Sequence, residues 1–273
     1  MFIAKEKGTE NRVYIDDALS EKEYMCPNCH MDLIIKKDGV ITPYFEHTTH
    51  RVCDTFTQDN SLWHKEWQNI FPHRNQEYYV SLSFTNNEYL AASKRWKFEP
   101  RVLDILYSIN DDAPLKAIHR ADVCACGYII LFQRNLISKE EFNEQNWFYT
   151  SSGKKVVWIF DISMTPDYET LINYDITEIS KKWQWEKAPE TFTNYLPQFR
   201  RKRKDKYNEW KDSSILLFFQ TPQSNISDKG KIELVTWAIE KGNGESDFTR
   251  FSTGQKHVYT ADEFRKAIVS RKL

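Results

Sequence analysis

Apolar and polar positions repeat with two periods along the chain, and the changes between them mark its elements. In "SLWHKEWQNIF" the residues Trp63, Trp67, Ile70 and Phe71 fall at i, i+4, i+7 and i+8, one face of a helix, with Ser61 as its cap and Pro72 as its stop. "EYYVSLSF", from Glu77 to Phe84, has the pattern of a strand. "AIHRADVC" and "YIILFQ" read as a strand pair joined across a Cys-Gly turn. Ser138 opens "SKEEF" with Glu141 answering it as a capping box, which predicts a helix to Tyr149. "KVVWIFDI" is an unbroken apolar run, the mark of a strand covered on both faces. The order is helix, strand, strand, strand, helix, strand, which predicts an α/β core.

The pattern is different on either side of this core. Before it, "MDLIIKKDGVITPYFEH" reads as two short strands around an Asp38-Gly39 turn. After residue 165 the periodicity weakens, with a strand at "SSILLFFQT", a loop at "KGNGES" and a closing helix at "YTADEFRKAIVS" capped by Thr260 with Glu263 at N3. This tail is expected to pack on the core. The resulting division is a small β module at 1–60, the α/β core at 61–165 and a C-terminal region at 166–273. No internal repeat is visible.

Composition narrows the class. With 273 residues, 40% apolar and 28% charged, the chain reads as globular with ample core. Aromatics make up 15%, more often a core feature than a stacking surface. The net charge of −1 gives no global attraction to nucleic acid, so any such contact must rest on a patch. One patch exists: "FRRKRKDK" gathers Arg200, Arg201, Lys202, Arg203, Lys204 and Lys206 around a single Asp. It suits phosphate-backbone contact, with Trp183, Trp185 and Tyr195 upstream as stacking residues; a solvated loop or helix face is the ordinary alternative. No run of about 18 apolar residues predicts a membrane span, and the first residues lack a secretory apolar segment, so a cytoplasmic protein is expected. No P-loop, dinucleotide fingerprint or GxSxG motif appears.

Five cysteines without a secretory signal point to reduced thiols and a metal rather than disulfides. Cys26 and Cys29 form a CxxC knuckle, and His47 and Cys53 follow beyond the hairpin. Two such turns can supply the four ligands of a closed, structural Zn2+ site. His30 and His50 are competing ligands, and unpaired buried thiols are the plain alternative. Cys124 and Cys126 are read as small packing residues on one face of a strand.

The succession "CPNC", "YFEH", "SLWHKEWQNIFP", "HRADV", "FQRNLIS" and "FYTSSGKKVVWIFDI" resembles the competence protein CoiA-like family over residues 20–165, and "YTADEF" resembles its closing segment. The resemblance implies a zinc-ribbon-like module followed by a PD-(D/E)XK restriction-endonuclease-like mixed sheet flanked by helices. It implies Mg2+- or Mn2+-dependent hydrolysis of DNA, in DNA uptake or phage defence. Carried over by position, His64 falls on the family's helix histidine and Asp122 on its metal-binding aspartate. Gln133 falls on the Gln of a Glu-x-Gln strand written "IEFQHS".

Here that strand reads "ILFQRN": Leu131 replaces the Glu, Arg134 and Asn135 replace His and Ser, and Gln145 stands where an Arg is common. Mg2+ needs clustered oxygen ligands, and a leucine donates none. By strand alternation residues 131 and 133 are expected to face Asp122. An acid could reach in from elsewhere: Glu77 on the preceding strand, or Glu66, Glu141 or Glu144 on flanking helices. Without one, the chain would bind DNA without cutting it, or scaffold an active partner from the same operon. Asp122 as a strand acid paired with Arg120, His64 as a surface histidine and Gln133 as a sheet-edge amide are the structural alternatives.

Overall fold

The structure is a computed structural model and describes residues 1–37, 39, 42–49, 53, 54, 56, 61–96, 98–100, 114–134, 137, 139–161, 215–220, 234–236, 238–240, 250–252 and 258–272. The first five strands form an antiparallel sheet. They are β1 (Ile3–Glu6), β2 (Arg12–Tyr14), β3 (Tyr24–Met25), β4 (Asp32–Lys36) and β5 (Tyr44–His47), in the order β2-β1-β3-β4-β5. Its own small core holds Phe2, Ile15, Tyr24 and Phe45.

The second sheet is mixed. Its strands are β6 (Gln76–Thr85), β7 (Pro114–Ala125), β8 (Tyr128–Gln133), β9 (Lys155–Asp161), β10 (Ile215–Gln220), β11 (Leu234–Thr236) and β14 (Val258–Tyr259). They lie in the order β14-β11-β10-β9-β8-β7-β6, while β12 (Ala238–Glu240) and β13 (Arg250–Ser252) pair separately. β8, β9 and β10 run parallel, and the pairings outside them are antiparallel. All six residues of β8 are buried, as are those of β9 after Lys155, which is what unbroken apolar runs require of central strands. β6, at the edge, keeps Val80 and Phe84 inward while Ser81 and Ser83 face out.

Four α-helices among the described residues cover this sheet: α1 (Leu62–Asn69), α2 (Asn86–Trp96), α3 (Lys139–Ser151) and α4 (Ala261–Val269). Trp67 of α1 and Phe264 of α4 share one core cluster with Ile130, Phe132 and Ile159. Tyr89 of α2 and Phe142 and Phe148 of α3 share the opposite cluster with Leu131, Trp158 and Phe160. Burying side chains of this size contributes about 1.5–3 kcal/mol each, so the two clusters dominate the stability of the core. None of these helices is long and apolar enough to cross a membrane.

Several local expectations are met and others revised. Ser61 accepts the His64 N–H at 3.2 Å, and Thr260 and Glu263 form the expected capping box. α2 escaped the periodicity because its buried face includes polar Asn86 and Ser93 beside Tyr89 and Ala92. Its start was nonetheless written in "TNNE", where the Thr85 hydroxyl accepts the Glu88 N–H at 3.2 Å and Glu88 accepts the Thr85 N–H at 2.7 Å. The placement of Cys126 beside Cys124 on a strand face is corrected. Cys126 lies in the exposed turn after β7 with φ 52°, followed by Gly127 at φ 91°, the paired positive angles of a tight hairpin. Ser138, "KGNGES", the aromatics Trp183, Trp185 and Tyr195 and the basic run Arg200–Lys204 lie outside the described residues.

Candidate functional site

The hairpin of β4 and β5 brings the sulfur and imidazole ligands together. The ligand atoms of Cys26, Cys29, His47 and Cys53 all lie within 4.8 Å of one another. Cys26 Sγ is 3.8 Å from Cys53 Sγ, and Cys29 Sγ is 3.3 Å from His47 Nε2. Ligands about 2.3 Å (sulfur) and about 2.0 Å (nitrogen) from one ion at the tetrahedral angle stand about 3.8 Å and about 3.5 Å apart. The four residues therefore fit a zinc ion, and the Cys3His group could hold one. His30, exposed at φ 58°, closes the knuckle through its N–H to the Cys26 carbonyl at 3.0 Å and is not a ligand. Contact with Cys53, aided by the amides of Cys29 and Asn28, pulls the Cys26 thiol down to about 4. Contact with Cys26, together with burial, pushes the Cys53 thiol up. One thiolate is thus already favoured, as metal capture needs.

The knuckle is tied to the large sheet. Tyr79 Oη of β6 lies 3.8 Å from Cys26 Sγ. Asp54, next to Cys53, accepts the Arg120 N–H of β7 at 2.7 Å and the Phe56 N–H at 3.0 Å, and stands 2.9 Å from His119 Nδ1. Burial alone would raise the Asp54 carboxyl; the His119 hydrogen bond and charge, with the two amides, outweigh it and hold the group below the usual carboxylate range. At the other end of the module, Tyr14 Oη donates to Asn69 at 2.9 Å and Lys65 meets Asp16 at 2.6 Å.

Glu77 joins the two sheets directly. Its carboxylate accepts the Phe2 N–H at 2.6 Å and the Ile3 N–H at 2.9 Å, and lies 3.1 Å from Arg120 Nη1. The residue is buried at φ 43°, a left-handed angle that breaks the β6 ladder opposite Asp122. Burial works against the charge of Arg120, but Glu77 and the nearby Asp54 and Asp122 keep the guanidinium protonated. Glu77 was expected as a relocated metal acid. Its oxygens are instead engaged by two amides and an arginine.

Asp122 sits where β7 and β8 lose register. The ladder runs from Ala125↔Tyr128 to Val123↔Ile130 and stops, and Asp122 Oδ2 accepts the Phe132 N–H at 2.8 Å in place of a backbone carbonyl. Ala121 consequently packs in one cluster and Val123 in the other, although simple alternation would put both on one face. Oδ1 lies 3.1 Å from His64 Nε2, which is also 3.1 Å from Gln68 Nε2. His64 is buried against Phe132, their ring centroids 5.6 Å apart, so it is not a surface histidine.

The bulge also revises the face of Leu131. It packs in the α2–α3 cluster with Trp158, while Asp122 reaches toward α1. Gln133 is buried at the end of β8. Glu144 accepts from Tyr89 Oη at 2.8 Å, Glu141 accepts from Gln145 at 3.2 Å, and Glu66 is half-buried. Among the described residues the Cys3His set is the one group of three or more His, Cys, Asp or Glu placed to hold a metal ion. The sequence reading missed Asp54, His119 and Asp161. The last is a buried acid ending β9, 3.5 Å from Arg134 Nε. "HRADV" did contain His119, but its partner lies 65 residues earlier, beyond the reach of local spacing.

The family model for the N-terminal domain of competence protein CoiA matches residues 9–56. The matched segment contains all four Cys3His residues. No curated protein and no solved structure matches the chain.

Proposed function

We propose that the chain is a CoiA-like DNA-binding protein of DNA uptake or phage defence, whose nuclease-like core has traded its cation pocket for internal hydrogen bonds. The units are a zinc-ribbon-like module at 1–60, a PD-(D/E)XK-like core at 61–165 and a C-terminal region at 166–273 that adds strands and a helix to the core sheet. The observation that carries the reading is the engagement of both buried acids of the β6–β7 pair. Asp122 serves the Phe132 amide and His64, and Glu77 serves the Phe2 and Ile3 amides and Arg120. A hard cation needs several clustered oxygen ligands, and both carboxylates already meet protein donors here. Zinc supplies folding energy to the first module and no step of a reaction.

DNA affinity on this reading rests on phosphate contacts from Arg200, Arg201, Lys202, Arg203 and Lys204, with catalysis, where the pathway needs it, coming from a cytoplasmic partner of the same operon. The test is a titration of single- and double-stranded DNA at several salt concentrations. Binding should weaken linearly on logarithmic axes, and neutralising Arg200–Lys204 should flatten the slope. Affinity indifferent to salt would overturn the assignment. The second reading, an active Mg2+- or Mn2+-dependent nuclease, draws on the buried contact of Asp122 with His64, because both side chains sit at the motif positions of the resemblance. It makes Asp122, Gln133, His64 and a relocated glutamate the catalytic set.

A further inference from the structure

A cavity of about 330 Å³ opens between β7, α2 and α3, on the face of the sheet away from His64. Phe56, Tyr89, Trp147 and Phe148 form its walls, and His119, Glu144 and Lys116 supply its polar groups. Its size suits a small planar ligand.

His119 is held on several sides. Its Nδ1 lies 2.9 Å from Asp54, itself fixed by the amides of Arg120 and Phe56. One face of its ring stacks on Phe56 with centroids 3.7 Å apart, and Phe148 meets it edge-on at 4.5 Å. Nε2 has no hydrogen-bond partner among the described residues. A carboxylate on one imidazole nitrogen orients the ring and leaves the other nitrogen ready for a ligand. Lys116, exposed at the rim, has no ion pair among the described residues.

We infer that this cavity takes an unpaired nucleobase of a single strand. The inference rests on the nucleic-acid reading above and names the ligand at a different place in the fold. Aromatic walls suit the faces of a base, His119 Nε2 meets its polar edge, and Lys116 meets the adjoining phosphate. A recess of this size admits a splayed-out base more readily than a paired one.

The test uses the full-length, zinc-loaded protein and a mixed-sequence deoxyribo-decamer, the same decamer with abasic sites throughout, and a ribo-decamer of the same sequence. The two deoxy strands carry equal charge, so their difference isolates the bases. The intact strand should bind about tenfold more tightly than the abasic one, since stacking of a single base is worth about that much. Ala117→Leu adds bulk to the cavity lining and leaves the Asp54 and His119 side chains unsubstituted, and with His119→Gln it should bring both deoxy strands to the abasic affinity. Whichever sugar binds more tightly identifies the natural strand, and a base-dependent gain between the two deoxy strands supports the pocket. Equal binding of intact and abasic strands by the unaltered protein would overturn the pocket and leave the DNA reading standing. So would an undiminished preference in a folded Ala117→Leu variant. No binding of any strand would overturn both.

Discussion

Asp122 holds the amide of Phe132 with one carboxylate oxygen and meets His64 with the other, at 2.8 and 3.1 Å. The aspartate thereby shapes the strand it sits on, since its side chain replaces a backbone acceptor at a bulge. The cluster is not fully satisfied: His64 Nδ1 and Gln68 Oε1 are buried without hydrogen-bond partners. Such a polar group in a core is costly for stability alone and is what a relinquished or retained site leaves behind. Asp122→Ala strands the Phe132 N–H and His64 together, and stability should fall by about 2–4 kcal/mol in urea unfolding. Asp122→Asn keeps an acceptor and should cost less than half of that. Equal losses would show that the carboxylate charge, rather than its geometry, holds the bulge.

Glu77 should prove a structural clasp. Glu77→Ala removes a carboxylate from beside the buried Arg120 guanidinium, which costs about 3–5 kcal/mol. Hydrogen exchange should quicken first at the amides of Phe2 and Ile3, the donors it holds. Exchange there unchanged, with stability intact, would remove the clasp from the account.

The Cys3His group should bind one zinc ion per chain. Substitution by Co2+ should give the sulfur-to-metal absorption of three thiolates, and Cys53→Ser should weaken that band and lower zinc content. Because Asp54 follows Cys53 and holds β7, chelation should also perturb the His119 side-chain resonance, outside the module itself. Metal content near zero in protein purified without chelator would count against the site.

Leu131→Glu should not restore a cation pocket. Residue 131 lies in an apolar cluster with Trp158 and Phe142, on the side of the sheet away from His64. A carboxyl placed there is buried among apolar side chains, so it should stay protonated at neutral pH and cost about 3 kcal/mol or more. Calorimetric titration with Mn2+ should show no new site. A gain of Mn2+ affinity would mean that this face once held the metal.

Much of this was legible in the sequence. Trp63, Trp67 and Phe71 announced α1 by their spacing, the apolar runs of β8 and β9 announced central strands, and Cys26, Cys29, His47 and Cys53 announced their own cluster. The pairings of the acids were not legible. Strand alternation puts Leu131 opposite Asp122, but the bulge that removes it depends on a side chain accepting an amide ten residues away. Glu77 reaches Phe2 and Ile3, 75 and 74 residues back in the chain, at a backbone angle that no propensity favours for glutamate. Contacts of that range come from tertiary packing, which a local pattern does not encode.

The central claim is that the carboxylates of the β6–β7 pair are structural, so that a chain proposed to bind DNA does not cut it. The direct measurement incubates the purified chain, and Asp122→Asn beside it, with single- and double-stranded DNA in Mg2+ and in Mn2+, reading both strand length and retention on DNA. The account predicts intact DNA and salt-sensitive binding in every lane. Metal-dependent cleavage by the unaltered chain, lost in Asp122→Asn, would contradict it.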